Sequence, residues 1–184
     1  MFNCCLIDMD DMLQNGTVIS KTKIEKPHSF QTACNICTQV IAQVASGQYG
    51  GQSINVSTLA PFVDISRKNI KKKLFEDFKT SNISITEEEL NTLVEESVKR
   101  EVKAGVQLMQ YQVLTLMTTN GQSPFVTFFM YLNAAKNEQE KKDLALIIEE
   151  ILKQRLQGVK NEQGVWVSPA FPKLIYVLDR KSTR

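Results

Sequence analysis

Four cysteines, arranged as two close pairs, are the most reactive side chains in this sequence. Cys4 and Cys5 are adjacent near the amino terminus, and Cys34 and Cys37 are separated by two residues. Neither spacing closes a chain loop of the kind that disulfides stabilise in secreted domains, so we expect free thiols. The spacing of the second pair is typical of zinc and dithiol redox centres, yet a zinc site needs four ligands and His28 is the only histidine.

Several interpretations remain open for these pairs. Cys37 lies on the apolar stripe of a predicted helix, which favours a buried structural cysteine over a metal ligand or a redox thiol. Cys4 and Cys5 would point to opposite sides of a strand, so only one of them can face a given pocket. They are either small buried hydrophobic residues or include one reactive thiol at the head of a barrel strand. His28 is interpreted as a residue at a helix start.

Two polar loops could bind an anion or a sugar. Residues 47–53 read GQYGGQS, whose glycines let backbone amides approach a phosphate and whose polar side chains suit hydroxyl groups. This loop matches neither the P-loop nor the dinucleotide-binding fingerprint, so a plain turn is the preferred interpretation. Residues 120–124 read NGQSP and raise the same possibility. Two such loops beside helix ends would suit a nucleotide-sized polar pocket.

The elements that must position these residues alternate between strands and helices. The patterns predict strands at 3–7, 125–132 and 174–178, and helices at 29–46, 66–78, from 86 onward, and 137–157. Capping boxes at Thr86 with Glu89 and at Asn137 with Glu140 open the last two helices. Strands separated by long helices predict parallel pairing and an α/β architecture. Three strands cannot close a barrel, and residues 53–61 resemble a linker.

Two of the predicted helices carry unusual faces. The helix from Thr86 runs for about 30 residues with a continuous apolar stripe, which is typical of a scaffold or an oligomer interface. The helix at 66–78 has a basic face, for which simple solvation is favoured over phosphate contact. That face consists of Arg67, Lys68, Lys71, Lys72 and Lys73.

The composition excludes several classes of protein. The 184 residues are 42% hydrophobic, which is enough for the core of one domain. With 22 basic and 20 acidic side chains the formal net charge is +2, so no global field indicates DNA, RNA or membrane binding. No run reaches the roughly 18 apolar residues of a membrane span, and no signal peptide is recognisable. A cytoplasmic protein is predicted.

Five separated motifs follow one another along nearly the whole chain. They are NCCLIDMDDMLQNGT, TQVIAQVASGQYGGQSI, LAPFVDISR, TTNGQSPFVTF and WVSPAFPKLIYVL. Together and in this order they resemble the catalytic subunit of class III (anaerobic) ribonucleoside-triphosphate reductase. The resemblance implies part of a ten-stranded α/β barrel of the glycyl radical enzyme type, with long helices at an allosteric dimer interface. It also implies reduction of ribonucleoside triphosphates to deoxyribonucleoside triphosphates by glycyl and thiyl radical chemistry.

The resemblance also implies roles for individual residues. Cys4 matches a cysteine on the first barrel strand that assists loss of the ribose 2′ hydroxyl, after a thiyl radical has removed the 3′ hydrogen. Cys4 is preferred over Cys5 because aerobic relatives carry Cys-X-Leu-Ile with an acid seven residues after the cysteine, and Cys4 leads to Asp11. That acid binds the ribose of an effector nucleotide, so Asp11 is an allosteric candidate. The family's substrate-side loop corresponds to Gly50, Gly51 and Gln52.

Cofactors and partners follow from the same resemblance. The family uses a glycyl radical, formate or a small thiol system as reductant, a radical-SAM activating enzyme, and ATP and deoxyribonucleoside triphosphates as effectors. A homodimer is expected, with the helix from Thr86 at its interface. No metal ligand is assigned in this sequence.

Parts of the family's machinery do not occur in these residues. The glycyl radical motif, the finger-loop cysteine, the four-cysteine zinc module and the ATP-cone are missing from 1–184. We therefore expect a fragment of the catalytic barrel domain that is inactive alone. The ending DRKSTR departs from the family and matches a translated sequencing adapter, which predicts a gene truncated at a contig edge. The alternatives are a non-catalytic helical interaction or regulatory module, and a dithiol or metal protein built on Cys34 and Cys37.

Overall fold

A parallel sheet with helices on one face forms the framework of this chain, whose computed structural model describes residues 4–47, 50–116 and 123–178. In chain order the strands are β1 Cys5–Leu6, β2 Thr17–Ile19, β3 Thr22–Ile24, β4 Gln52–Asn55, β5 Val126–Met130, β6 Val159–Lys160, β7 Trp166–Val167 and β8 Lys173–Tyr176. The helices are α1 Met9–Asn15, α2 Phe30–Gly47, α3 Ala60–Thr80, α4 Glu87–Thr115 and α5 Glu138–Gln157. The predicted α/β class is confirmed.

The main sheet has the strand order β1-β4-β5-β8, and all its pairings are parallel. Cys5 lies opposite Gln52, and Gln52 lies opposite Val126 in the next strand. Within this sheet each strand therefore pairs with the sheet strand that precedes it in the sequence. The helices form the crossovers that parallel pairing requires. The hairpins β2-β3 and β6-β7 form separate antiparallel pairs. The sequence predicted three strands for this sheet, and the structure has four.

Alternation along the strands separates a helix-covered face from an open face. In β5 the side chains of Val126, Phe128 and Met130 are buried, whereas Thr127 and Phe129 between them are only partly buried. The same alternation occurs in β4, because successive strand residues point to opposite faces. By this register the open face carries Leu6, Ser53, Asn55, Thr127, Phe129, Lys173 and Ile175. Leu6 is 75% exposed there.

Local capping signals place the starts of the crossover helices α4 and α5. Thr86 Oγ1 accepts from the Glu89 N–H at 3.2 Å, and the Thr86 N–H donates to Glu89 Oε2 at 3.0 Å. The Asn137 side chain accepts from the Glu140 N–H at 2.9 Å and opens α5. Both predicted starts are confirmed, as is the length of α4, which has 29 residues. No helix in the described ranges is long and apolar enough to cross a membrane.

Arg67 joins three helices instead of lying on a solvated basic face. Its guanidinium on α3 donates two hydrogen bonds to Asp143 of α5, one of them at 3.0 Å, and another to Glu95 of α4 at 2.6 Å. The Asp143 side chain is only 3% exposed. These bonds raise the pKa of Arg67, the bond to Asp143 having the largest effect, so the side chain remains charged. The expectation of simple solvation was wrong for Arg67.

The segment predicted to be a linker is part of the core. Residues 53–61 contain most of β4, a 3-10 turn at Val56–Leu59 and the start of α3, and Val56, Leu59 and Ala60 are fully buried. The helix α3 begins at Ala60, six residues before the predicted start, because Pro61 fits the first turn of a helix. The helix α1, capped by Asp8, was not among the predicted helices.

Candidate functional site

Several of the predicted site residues lie together where the parallel strands of the main sheet begin, which we call the amino-terminal edge of the sheet. Cys4 precedes β1, Gly50 and Gly51 precede β4, and Phe125 precedes β5. The Cys5 N–H donates to the Gly51 carbonyl at 3.0 Å, and the Gln52 N–H donates to the Phe125 carbonyl at 2.8 Å. Because parallel strands begin at the same edge, these bonds place Cys4, Gly51 and Phe125 side by side along it.

The two adjacent thiols lie on different sides of the sheet. Cys4 is exposed, whereas Cys5 is half-buried and packs against the core under the helices. This difference follows from strand alternation, which assigns Cys5 to the helix-covered face and Cys4, like Leu6, to the open face. The prediction that the pair would point in opposite directions is confirmed. Of the two, Cys4 is the thiol that a substrate approaching the open face could reach.

Gln52 lies on the side of the sheet opposite the Cys4 thiol. Its side chain is 1% exposed, and its Nε2 donates to the Ile41 carbonyl of α2 at 3.0 Å. Its Oε1 is buried and has no hydrogen-bond partner among the described residues. The structure therefore brings Gly50 and Gly51 to the edge beside Cys4 but directs the Gln52 amide into the layer between sheet and helices.

At the amino-terminal edge Phe125 packs against Phe171, a contact that the sequence motifs did not reveal. The rings of Phe125 and Phe171 lie 5.0 Å apart between centroids, with an interplanar angle of 49°. Arg155 of α5 donates to the carbonyls of Pro169, at 2.9 Å, and Pro172, which fixes the segment before β8. The motif WVSPAFPKLIYVL contains this segment, but nothing in it signals an arginine partner at the end of the preceding helix.

Asp11 lies beyond the carboxyl end of β1, on the opposite side from the amino-terminal edge where Cys4 lies. It belongs to α1, which follows the carboxyl end of β1, whereas Cys4 precedes that strand. The Asp11 carboxylate is exposed and accepts from Asn15 Nδ2 at 2.7 Å, and its N–H donates to Asp8 Oδ1 at 3.2 Å. The candidate effector residue is therefore separated from the candidate thiol by the length of the first strand.

The second cysteine pair is buried and unreactive. Cys34 and Cys37 on α2 are both fully buried. Burial raises the pKa of the Cys37 thiol to about 12, and burial, with the nearby Cys37 and Glu101, raises the pKa of Cys34. The structural interpretation of Cys37 is confirmed. Within the described ranges no group of three or more His, Cys, Asp and Glu side chains could hold a metal ion.

Other sequence predictions concern positions at the margins of the structure. His28 is exposed just before α2, and its carbonyl accepts from Asn69 Nδ2 at 2.8 Å, in agreement with a residue at a helix start. Residues 1–3, 48–49, 117–122 and 179–184 lie outside the described residues. They include part of each polar loop and the ending DRKSTR.

Comparison with known proteins identifies the family. The family model of anaerobic ribonucleoside-triphosphate reductase matches residues 1–183. The anaerobic ribonucleoside-triphosphate reductase of Haemophilus influenzae is 37% identical over 183 residues, covering 98% of this chain and 23% of the relative. The Escherichia coli enzyme of that name is 39% identical over 180 residues, covering 97% and 23%. The phage T4 enzyme is 35% identical over 179 residues, covering 96% and 27%. This chain thus spans about a quarter of the length of these relatives.

Solved structures show the same fold at low sequence identity. The anaerobic ribonucleotide reductase of Thermotoga maritima with dATP in its specificity site superposes with a TM-score of 0.60 and 15% identity, covering 95% of this chain and 28% of that one. A complex of the same enzyme with dATP and CTP gives 0.54 and 15%, covering 83% and 25%. The parallel sheet and its crossover helices are thus shared with this enzyme, and the chain belongs to the anaerobic ribonucleoside-triphosphate reductase family.

Proposed function

We propose that this chain forms part of the catalytic barrel of an enzyme that reduces ribonucleoside triphosphates to deoxyribonucleoside triphosphates by radical chemistry. The observation that carries the proposal is the placement of Cys4. This thiol is exposed on the open face beside Gly51, while Cys5 packs into the core. The family match supports the same activity.

The sheet topology supports a place within a larger barrel. Its four strands follow one another in chain order without reversal, and within the described ranges β4 and β5 bury one face and leave the other partly exposed. Such a sheet curves naturally into the wall of an α/β barrel, whose open face becomes the interior. We propose that these strands belong to the ten-stranded barrel implied by the sequence motifs, with Cys4 directed to the inside.

The residues of this chain have distinct roles in the proposed reaction. A radical on a residue outside the chain removes the ribose 3′ hydrogen. Cys4 then donates the proton with which the 2′ hydroxyl leaves as water, and formate or a small thiol system supplies the two electrons of the reduction. The backbone of Gly50 and Gly51, which lacks side-chain bulk, lets the substrate approach this edge. Asp11, exposed at the opposite edge, binds the ribose of an effector such as ATP or a deoxyribonucleoside triphosphate. No zinc-binding role is proposed for the described residues.

The remaining partners are proposed for the complete enzyme. They are a radical-SAM activating enzyme, formate or a small thiol system as reductant, and a second copy of the chain. The placement of Asp11 after the carboxyl end of β1, with Cys4 before that strand, supports an effector site distinct from the substrate site.

Substitution of the two adjacent cysteines tests the proposal. In the full-length, activated reductase containing this segment, Cys4→Ser abolishes deoxyribonucleotide formation, because a serine hydroxyl neither gives up its proton nor takes part in one-electron transfer as readily as a thiol. Cys5→Ser is the matched control and retains measurable activity, since its side chain faces the helices. Product formation is measured by chromatography with each of the four ribonucleoside triphosphates. An active Cys4→Ser enzyme, or an inactive Cys5→Ser enzyme beside it, would overturn the assignment.

A further inference from the structure

Gln52 connects three segments that meet at the amino-terminal edge of the sheet. Its backbone N–H binds the Phe125 carbonyl, directly after the second polar loop, and its side-chain Nε2 binds the Ile41 carbonyl of α2. Gln52 also comes directly after Gly51, whose carbonyl binds the Cys5 N–H. One residue thus links α2, the start of β4 and the start of β5.

Because the Gln52 amide is fully buried, the link that it forms between these segments allows little movement. The side chain is 1% exposed and belongs to the same helix-facing row as Cys5 and Val126. A hydrogen bond enclosed in a close-packed layer restricts the amide to one orientation, and the restriction extends to the strand residue that carries it. The Gly51 carbonyl is held by the Cys5 N–H, and the anchored glutamine next to it fixes the strand residue from which the Gly50–Gly51 backbone extends.

We propose that Gln52 is a positioning residue, which holds the Gly50–Gly51 backbone at a fixed distance from Cys4 without itself touching the substrate. The proposal rests on the proposed function, since it concerns the substrate-side loop of that reaction. It explains why a glutamine occupies a strand position that its neighbours in the row fill with Cys5 and Val126.

The unpaired side-chain oxygen of Gln52 indicates that this residue serves to position the backbone and does not stabilise the fold. Gln52 Oε1 is buried without a hydrogen-bond partner among the described residues, which opposes the gain from the Nε2 bond. The Ile41 carbonyl lies within α2 and also has the Ala45 N–H as its helical donor, so losing the glutamine leaves no backbone group unpaired. A methionine of similar length would therefore fold at least as well as the glutamine while lacking the directional bond.

The test compares Gln52→Met and Gln52→Leu with wild type in the full-length, activated reductase. Gln157→Met is the matched control, because Gln157 is exposed at the end of α5. We expect the melting temperatures of both Gln52 variants to stay within about 2 °C of wild type. We expect kcat to fall about tenfold or more, since a small misplacement of a substrate-side group is costly in rate. The KM for the ribonucleoside triphosphate changes by less than about threefold.

Each other outcome overturns the inference. A kcat within about threefold of wild type in both Gln52 variants would show that the buried amide does not position the loop. Loss of folding in both variants would make Gln52 a folding residue. The Cys4→Ser enzyme, assayed in parallel, distinguishes failure of the positioning role from failure of the proposed function. If Cys4→Ser is inactive while Gln52→Met has normal activity, only the positioning role fails. If Cys4→Ser is active, the proposed function fails.

Discussion

The buried ion network around Arg67 makes a quantitative prediction about stability. In the variant Arg67→Met the Asp143 carboxylate, whose side chain is 3% exposed, loses both guanidinium bonds. It keeps a bond from Gln139 Nε2 at 3.1 Å. Removing one member of a buried ion pair costs about 3–5 kcal/mol. The lost bond to Glu95, which is 49% exposed, adds at most about 1 kcal/mol.

The structure favours the lower end of this range. The Arg67 side chain is itself 16% exposed and the Gln139 bond remains, so water and one amide compensate part of the lost charge. We expect the free energy of unfolding to fall by about 3 kcal/mol, a large share of the roughly 5–15 kcal/mol that holds a domain together. The raised pKa of Arg67 lies far above working pH, so this loss is the same from neutral to mildly alkaline pH.

Urea unfolding of the 184-residue chain, followed by circular dichroism, provides the measurement. The control is Lys68→Met on the same helix, which removes an exposed lysine that pairs with Asp64 at 2.7 Å. This exposed pair should contribute less than about 0.5 kcal/mol. The double variant Arg67→Met with Asp143→Leu should recover about 2 kcal/mol, because no unpaired charge remains buried. A single Arg67 variant as stable as the Lys68 control would refute the reasoning.

Two further predictions concern the core between helices. In Gly105→Ala a Cβ would lie 2.7 Å from Phe30 Cε1 and 3.1 Å from Cys34 Sγ, so overpacking of about 1–3 kcal/mol outweighs the helix-propensity gain of about 1 kcal/mol. Urea unfolding should show a less stable variant, and a gain in stability would contradict this close packing. Burial raises the Cys37 pKa to about 12, so the thiol ionises more readily in the unfolded chain and stability falls as pH rises above about 9. Relative to Cys37→Ala, wild type should lose about 1.4 kcal/mol per pH unit in that range, and parallel curves for the two proteins would disprove it.

Local signals predicted the parts of the fold that depend on neighbouring residues. The start of α4 is encoded by Thr86 and Glu89, three residues apart, and its capping box forms as expected. The end of α5 at Gln157 is followed by Gly158, whose positive φ of 78° few other residues adopt. The separation of Cys4 from Cys5 follows from the alternation of any strand. In each case the determining contacts lie within one turn or one strand.

Features that depend on distant partners were missed for a physical reason. The strand β4 contains one large apolar residue, Ile54, and acquires its position only from pairing with β1 and β5. Without β4 as a strand, the side of the sheet to which Gln52 points could not be inferred. Arg67 belongs to a basic stretch, and only Asp143, 76 residues later, converts it into a buried link. No sequence window spans these contacts.

The strand order has a consequence for how the chain folds during synthesis. Strand β4 pairs with β1, β5 pairs with β4, and β8 pairs with β5, so each new strand docks on one that has already left the ribosome. After β1, which pairs with the later β4, no strand of this sheet depends on a later described strand for its first neighbour. The sheet can therefore grow by one strand at a time from the amino terminus, and each newly added strand becomes the edge on which the next one pairs.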